Sequence, residues 1–172
     1  MVNFLDISYL QSGNEKQKHA YHVLTTHHIF DKLAPFTPIL AGTIPINIDI
    51  ENSDLDIICY VQDEVAFTKT LTNLFHNEKG FIITENSAFQ SIKANFFMDG
   101  FEFEIFGQAI PTLRQNAYRH MLIEHQILLE KGETFRQEII SLKNQGIKTE
   151  PAFAQLLGLK GDPYTAILKL EG

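Results

Sequence analysis

Two aspartates, Asp54 and Asp56, stand one residue apart in the run "SDLDIICYV". In an extended strand, residues i and i+2 share a face. Both carboxylates therefore project together, about 7 Å apart along the strand. Like charges held against apolar neighbours are costly unless a cation compensates them. The stretch 41–60 adds Asp49 and Glu51 and contains no lysine or arginine; the nearest bases on either side are Lys32 and Lys69. The pattern asks for a divalent cation or for exposure at a cleft.

A second pair has the same spacing. Glu102 and Glu104 alternate with Phe101, Phe103 and Ile105 in "GFEFEIFG". If this strand pairs beside "DLDII", three carboxylates converge on one point. All-oxygen sets of this kind suit Mg²⁺ or Mn²⁺. Magnesium keeps several waters and takes remaining ligands from substrate phosphates. Two such ions, about 4 Å apart, activate an attacking oxygen and stabilise a leaving one. Taken singly, Asp-x-Asp is common at strand ends and Glu-x-Glu on solvated strand faces. Their combination with a preceding glycine turn, Gly42-Thr43, carries the metal reading.

The elements that must hold these groups follow from periodicity and punctuation. Residues 13–36 read as a first helix, with Ala20, Val23, Leu24, His27 and Phe30 at helical spacing and Pro35 at its end. "TPILAG" is a short strand stopped at Gly42, followed by a loop rich in Pro, Asn and Asp. "DLDIICYV" becomes continuously apolar, as a strand covered on both faces does. Residues 63–80 predict a helix with Val65, Leu71, Leu74 and Phe75 inward, and "FIITE" a third strand. Asp99-Gly100 supplies the turn of a hairpin over residues 91–107. Beyond Gly107 the chain reads as helices stopped at Gly132 and Gly146, then two short ones. Thr149 is the expected N-cap of the first, with Pro151 in its opening turn; Asp162-Pro163 repeats that grammar. The expected fold class is α/β (α+β): a mixed sheet with flanking helices over residues 1–107, and a C-terminal helical part over 108–172. No flexible linker separates them, so a cleft between the two parts is expected.

Composition narrows the function classes. The chain has 172 residues, 44% apolar and 20% charged, enough for one self-supporting globular body. Cys59 is its single cysteine, so no internal disulfide forms. The net charge of −7 argues against long nucleic acid as a partner, because phosphate contacts dominate that affinity. A small phosphorylated ligand held by a few local groups is compatible with it. The N-terminal residues lack a signal-peptide core and no run is long enough to span a bilayer, so a cytoplasmic location without membrane contact is expected. There is no Gly-x-Ser-x-Gly elbow, no Walker-type Gly-Lys-Ser/Thr, and no His/Cys spacing of a zinc site. His120 and Glu124, four residues apart, fit one helix face, and His120 reads as a core-edge or cleft-lining residue. Gln115, Asn116, Tyr118 and Tyr164 face either a substrate or their own helix ends. Oligomeric state is not written in the sequence.

The order of apolar strand, Gly42-Thr43, ten-residue loop, Asp54-Leu55-Asp56, and a later strand carboxylate resembles the nucleotidyltransferase superfamily of DNA polymerase beta. The runs "LAGTIPINIDIENSDLDIICYV", "EIFGQ", "QNAYRHMLIE" and "GDPY" resemble more closely an uncharacterised bacterial family within it. The resemblance implies a metal-dependent transfer of a nucleoside monophosphate from a nucleoside triphosphate to a small-molecule or protein hydroxyl. Gly42, Thr43 and Ser53 would hold the triphosphate, and Asp54 and Asp56 the metal that carries it. Spacing leaves Glu102 and Glu104 open as the third carboxylate; the resemblance implies Glu104. The loop "IPINIDIENS" lacks the base that active members carry, so Arg114 first, or Arg119 or Lys93, would supply positive charge from across the cleft. The alternative is an inactive protein of this fold that binds a ligand or partner. A toxin–antitoxin role is a further reading that genomic neighbourhood would test.

Overall fold

The computed structural model describes residues 2–171. Five strands form one mixed sheet: β1 (Ile39–Ala41), β2 (Leu55–Tyr60), β3 (Lys79–Asn86), β4 (Ser91–Met98) and β5 (Phe101–Gln108), in the order β1-β2-β5-β4-β3. β2 runs parallel to β5, and the other pairs are antiparallel. The register sets Ala41 opposite Asp56, and Asp56 opposite Glu104. Three adjacent strands thus bring Gly42, Asp56 and Glu104 side by side, although 62 residues of sequence separate the first from the last.

Alternation decides which face each side chain joins. Leu55, Ile57 and Cys59 of β2, and Phe101, Phe103 and Ile105 of β5, bury into one core. Helices α1 (Glu15–Thr26) and α3 (Glu64–Phe75) cover that face. Phe75, Phe96 and Phe103 stack there, with ring centroids 4.5 and 4.9 Å apart. Each such ring contributes about 1.5–3 kcal/mol by leaving water. The opposite face carries Ile58 and Phe106 together with the acidic positions. It packs against α4 (Asn116–Lys131), α5 (Glu133–Asn144), α6 (Thr149–Leu157) and α7 (Pro163–Leu168), whose Met121, Ile139, Phe153 and Ile167 build the second core. Asp99 (φ 45°) and Gly100 (φ 85°) make the expected tight turn between β4 and β5. No helix among the described residues is long and apolar enough to cross a membrane.

Three local expectations are corrected. The first helix does not run unbroken to Pro35. It ends at His27, and α2 (Ile29–Leu33) starts after His28 turns left-handed at φ 51°. His27 Nε2 lies 2.7 Å from Asp99 Oδ2, which ties this break to the hairpin turn. Val65 is 79% exposed, and the inner stripe of α3 is Phe67, Leu71 and Phe75, with Leu74 half-buried. An N-cap at Asp63 sets this phase, since its side chain accepts from Ala66 N. Lys148, not Thr149, caps α6, and no side chain satisfies that end.

Candidate functional site

Asp56 stands on β2, Asp54 one residue before that strand begins, and Glu104 on the central strand β5. Each offers one carboxylate oxygen, and these three oxygens lie within 4.8 Å of one another. Glu102, on the same face, accepts from Asn95 Nδ2 at 3.4 Å and is outside this set. Burial raises the Asp56 carboxyl well above the ordinary range, and the charges of Asp54 and Glu104 push the same way. Burial also raises Asp54, with Glu104 and Glu102 adding to it against a backbone hydrogen bond and Lys143. These half-buried acids form a charge cluster that a divalent cation relieves. The donors are hard oxygens on or beside paired strands, so the set fits a hard divalent cation.

Gly42 is required here for two reasons. Its φ is +78°, and a Cβ would overlap Asp56 Oδ2. The glycine therefore makes room for the aspartate of the neighbouring strand. Thr43 Oγ1 lies 3.2 Å from Ser53 Oγ, which itself accepts from Ile50 N at 2.9 Å. The two hydroxyls expected to bind phosphate thus also fasten the ends of the loop between them.

That loop lacks bases of its own but receives them from two helices. Gln17 of α1 donates to the carbonyls of Ile44 (2.7 Å) and Pro45 (3.3 Å). Lys16 donates to those of Ile50 and Glu51 and lies 3.9 Å from Asp49. From α5, Arg136 donates to the Ile46 and Asn47 carbonyls, and Lys143 to that of Ile48 at 2.6 Å. The loop's Ile44, Ile46 and Ile48 are buried. Sequence reasoning missed Lys143. It is 8% exposed and shares a cavity with Asp54, Asp56 and Glu104. Burial pushes its ammonium down to about 8, against the pull of Glu124, Asp49, Asp54 and Asp56. Only helical spacing from Ile139 marked this lysine as inward-facing, and helix spacing says nothing about which loop it meets.

The cleft has two adjoining lobes that share Thr43, Asp56, Glu104, Thr149 and Glu150. The first, about 550 Å³, extends past Gly42, Phe106, Gln115, His120 and Glu124. The second, about 600 Å³, extends past Ser53, Asp54, Lys143, Lys148 and Tyr164. His120 Nε2 donates to the Tyr164 carbonyl at 2.9 Å, and its Nδ1 lies 3.5 Å from Glu150. Gln115 Nε2 donates to the carbonyls of Cys59 and Ile110, pinning the start of α4 to the end of β2.

The three bases proposed to face the acids have different fates. Arg114 does not reach the acidic cleft. It ends a 3-10 turn (Thr112–Arg114) and lines an adjoining depression that shares Phe89, Gln108 and Asn116 with the first lobe, away from the acidic cluster. Arg119 is spent on Glu171 at the surface. Lys93 alone meets the cluster, with Nζ 3.0 Å from Glu104 Oε2.

A family model described as "Domain of unknown function (DUF4269)" matches residues 22–170. No curated protein matches the chain. Among solved structures, the Cid1 poly(U) polymerase with Mg 3′-dATP bound superposes with a TM-score of 0.58 at 14% identity, over 76% of this chain and 41% of that one. The GLD-2/RNP-8 complex gives 0.59 at 11% identity over 88% and 61%. The polymerase core of TRAMP, an RNA surveillance complex, gives 0.52 at 11% identity over 94% and 50%. The likeness is one of fold, and the chain spans roughly half the length of these structures.

Proposed function

The chain belongs to the family described as a domain of unknown function, DUF4269, and from its acidic centre we propose a metal-dependent nucleotidyltransferase. It would move a nucleoside monophosphate from a nucleoside triphosphate to the hydroxyl of a small molecule or protein. The observation that carries this reading is the convergence of Asp54, Asp56 and Glu104 on one point beside Gly42-Thr43. Asp54, Asp56 and Glu104 would hold the Mg²⁺ or Mn²⁺. Bound there, the cation would neutralise phosphate charge and polarise the reacting oxygens.

The chain's own groups divide the remaining work. Thr43 and Ser53, with Lys143 and Lys148 in the second lobe, form the anion-holding side of the cleft. Lys143 takes the part first expected of Arg114. The acceptor oxygen forms a bond to the α-phosphorus, and the bond from that phosphorus to the pyrophosphate oxygen breaks. The hydroxyl proton passes to a Glu104 carboxylate oxygen. The net charge of −7 supports a small acceptor rather than a long nucleic acid.

Calorimetric titration of Mn²⁺, with and without a non-hydrolysable nucleoside triphosphate, tests the reading. Wild type should bind both, and the Asp54→Asn/Asp56→Asn protein neither. Unchanged binding in that variant would end the proposal. A labelled oligonucleotide in the same titration tests the small-acceptor clause, which tight binding would overturn.

A second reading is favoured by Lys93, whose ammonium already neutralises Glu104. In this case the fold binds a ligand without turning over a triphosphate. It predicts no pyrophosphate release with any acceptor, and ligand binding that survives Asp54→Ala.

A further inference from the structure

The first lobe of the cleft has a charge imbalance that the metal centre does not explain. Four carboxylates line it, Asp56, Glu104, Glu124 and Glu150, together with His120 and no lysine or arginine. A cation at the triad would engage Asp56 and Glu104. Glu124 and Glu150 belong to α4 and α6 on the facing wall. Glu124 is 4% exposed, and its Oε1 is buried without a hydrogen-bond partner among the described residues. Gln115, 1% exposed, is in the same state: its Nε2 is doubly bonded, and its Oε1 is buried and unpartnered. A buried acceptor without a donor costs about 1–3 kcal/mol, and more when charged. Of the two, Glu124 stands beside a second carboxylate, Glu150, on the same cavity wall.

We propose that this wall, Glu124 with Glu150, binds the ammonium or guanidinium group of a small cationic ligand. The lobe's apolar surfaces, Ile58, Phe106 and Met121, would cover that ligand's hydrocarbon part. A cation satisfies this site where a neutral donor does not. Burial and the neighbouring Glu150 charge disfavour the Glu124 carboxylate, and Lys143 offsets them only in part. Lys143 lines the second lobe and not this one. His120 contributes no free donor at Nε2, which is spent on Tyr164. The lobe shares Asp56 and Glu104 with the triad, so a cation anchored here would present a hydroxyl to that centre. Identifying the ligand as the acceptor, a hydroxyl-bearing amine, rests on the transferase reading. Its binding does not.

Benzylamine and its neutral counterpart benzyl alcohol are the probes, with spermidine as an aliphatic check. Each is titrated into the full chain by calorimetry and by ¹H–¹⁵N chemical-shift mapping, with no nucleotide and with Mn²⁺ absent or saturating. Benzylamine should bind at least tenfold more tightly than benzyl alcohol, perturb residues 115–124 and 150, and keep its affinity under Mn²⁺. Glu124→Gln should weaken it tenfold or more while leaving Mn²⁺ affinity intact. Glu150→Gln gives a smaller loss in the same direction. Asp56→Asn should do the reverse, losing Mn²⁺ and keeping benzylamine. Equal affinity for the alcohol, displacement of the amine by Mn²⁺, or an unchanged Glu124→Gln protein overturns the proposal. So does a purine triphosphate whose base shifts residues 115–124 where the amines do not. Mn²⁺ binding without amine binding sinks this assignment and leaves the transferase reading standing. Amine binding without Mn²⁺ or nucleotide sinks the transferase reading and leaves this one.

Discussion

The sheet wall of the cleft and its helical wall both carry carboxylates, but they hold them differently. On the sheet wall, Asp56 and Glu104 are register partners on parallel strands, and Gly42 clears the space beside them. Their positions are fixed by backbone hydrogen bonding across three strands. On the helical wall, Glu124, Lys143 and Glu150 come from α4, α5 and α6, and only helix packing brings them together. The sheet wall is held by strand pairing, which suits an ion demanding fixed oxygen geometry. The helical wall can shift with its helices, which suits a surface that discriminates among ligands. Perturbing each wall in turn tests that contrast.

The largest effect is expected on the sheet wall. Gly42→Ala places a side chain in left-handed backbone and against Asp56. It should cost about 2–4 kcal/mol, read as a fall in Tm of roughly 2–4 °C for each kcal/mol. Mn²⁺ binding should disappear with it. A variant of wild-type Tm would show that this wall is as pliable as the other and remove the contrast.

Asp56→Asn should act in the opposite sense on stability. The folded Asp56 carboxyl lies above its unfolded value, so the folded chain holds more protons between the two and stability falls as pH rises through that window. Burial makes the charged form of this carboxyl unfavourable in the folded chain, and its removal should raise stability. Metal binding would be lost in the same protein. Wild-type Mn²⁺ affinity should also begin to fall, on acidification, at a higher pH than ordinary carboxylates would give. A lower Tm for Asp56→Asn, measured by calorimetry at pH 7, would mean that the cluster is already compensated.

On the helical wall Lys143 sets the next test. Its folded pKa of about 8 lies below the usual lysine value of 10.5. Between those values the unfolded chain binds more protons, so stability should climb as pH rises through that interval. Lys143→Met should flatten the climb. At pH 7 its net effect should stay within about 1 kcal/mol, because relief from burying the ammonium offsets the hydrogen bond lost at Ile48. Chemical denaturation of both proteins from pH 7 to 10 measures the slope. Parallel curves would show that Lys143 is charged alike in the two states.

How much of this was legible in the sequence follows from the same contrast. Strand alternation and the Gly42-Thr43 turn expose the sheet wall directly, because period 2 assigns faces without knowledge of the partner strand. The Asp99-Gly100 turn fixes β4 against β5. The parallel pairing of β2 with β5 remains conditional until the fold supplies it. The helical wall was legible only in part: His120 and Glu124 share a face by spacing, but nothing local places Lys143 or Glu150 beside them. Arg114 went astray for the same reason, since a base following a strand can turn to either side. The loop 44–53 shows the limit from the other direction. Its lack of bases looks like a defect in sequence, and in the fold Lys16, Arg136 and Lys143 supply them from a distance.

Lys93 gives the smallest stability effect and the finest distinction. Its pair with Glu104 has side chains 40% and 28% exposed, so Lys93→Ala should change stability by less than about 1 kcal/mol. Yet Lys93 and a divalent cation compete for one carboxylate. If the sheet wall is a metal site guarded by a mobile lysine, the variant should bind Mn²⁺ several-fold more tightly than wild type. The gain should shrink as salt screens the pair. If Lys93 instead completes an inert ion pair, Mn²⁺ affinity should be equally weak in both proteins at every ionic strength. The two outcomes separate a centre that admits metal by displacing its own lysine from one that keeps it out.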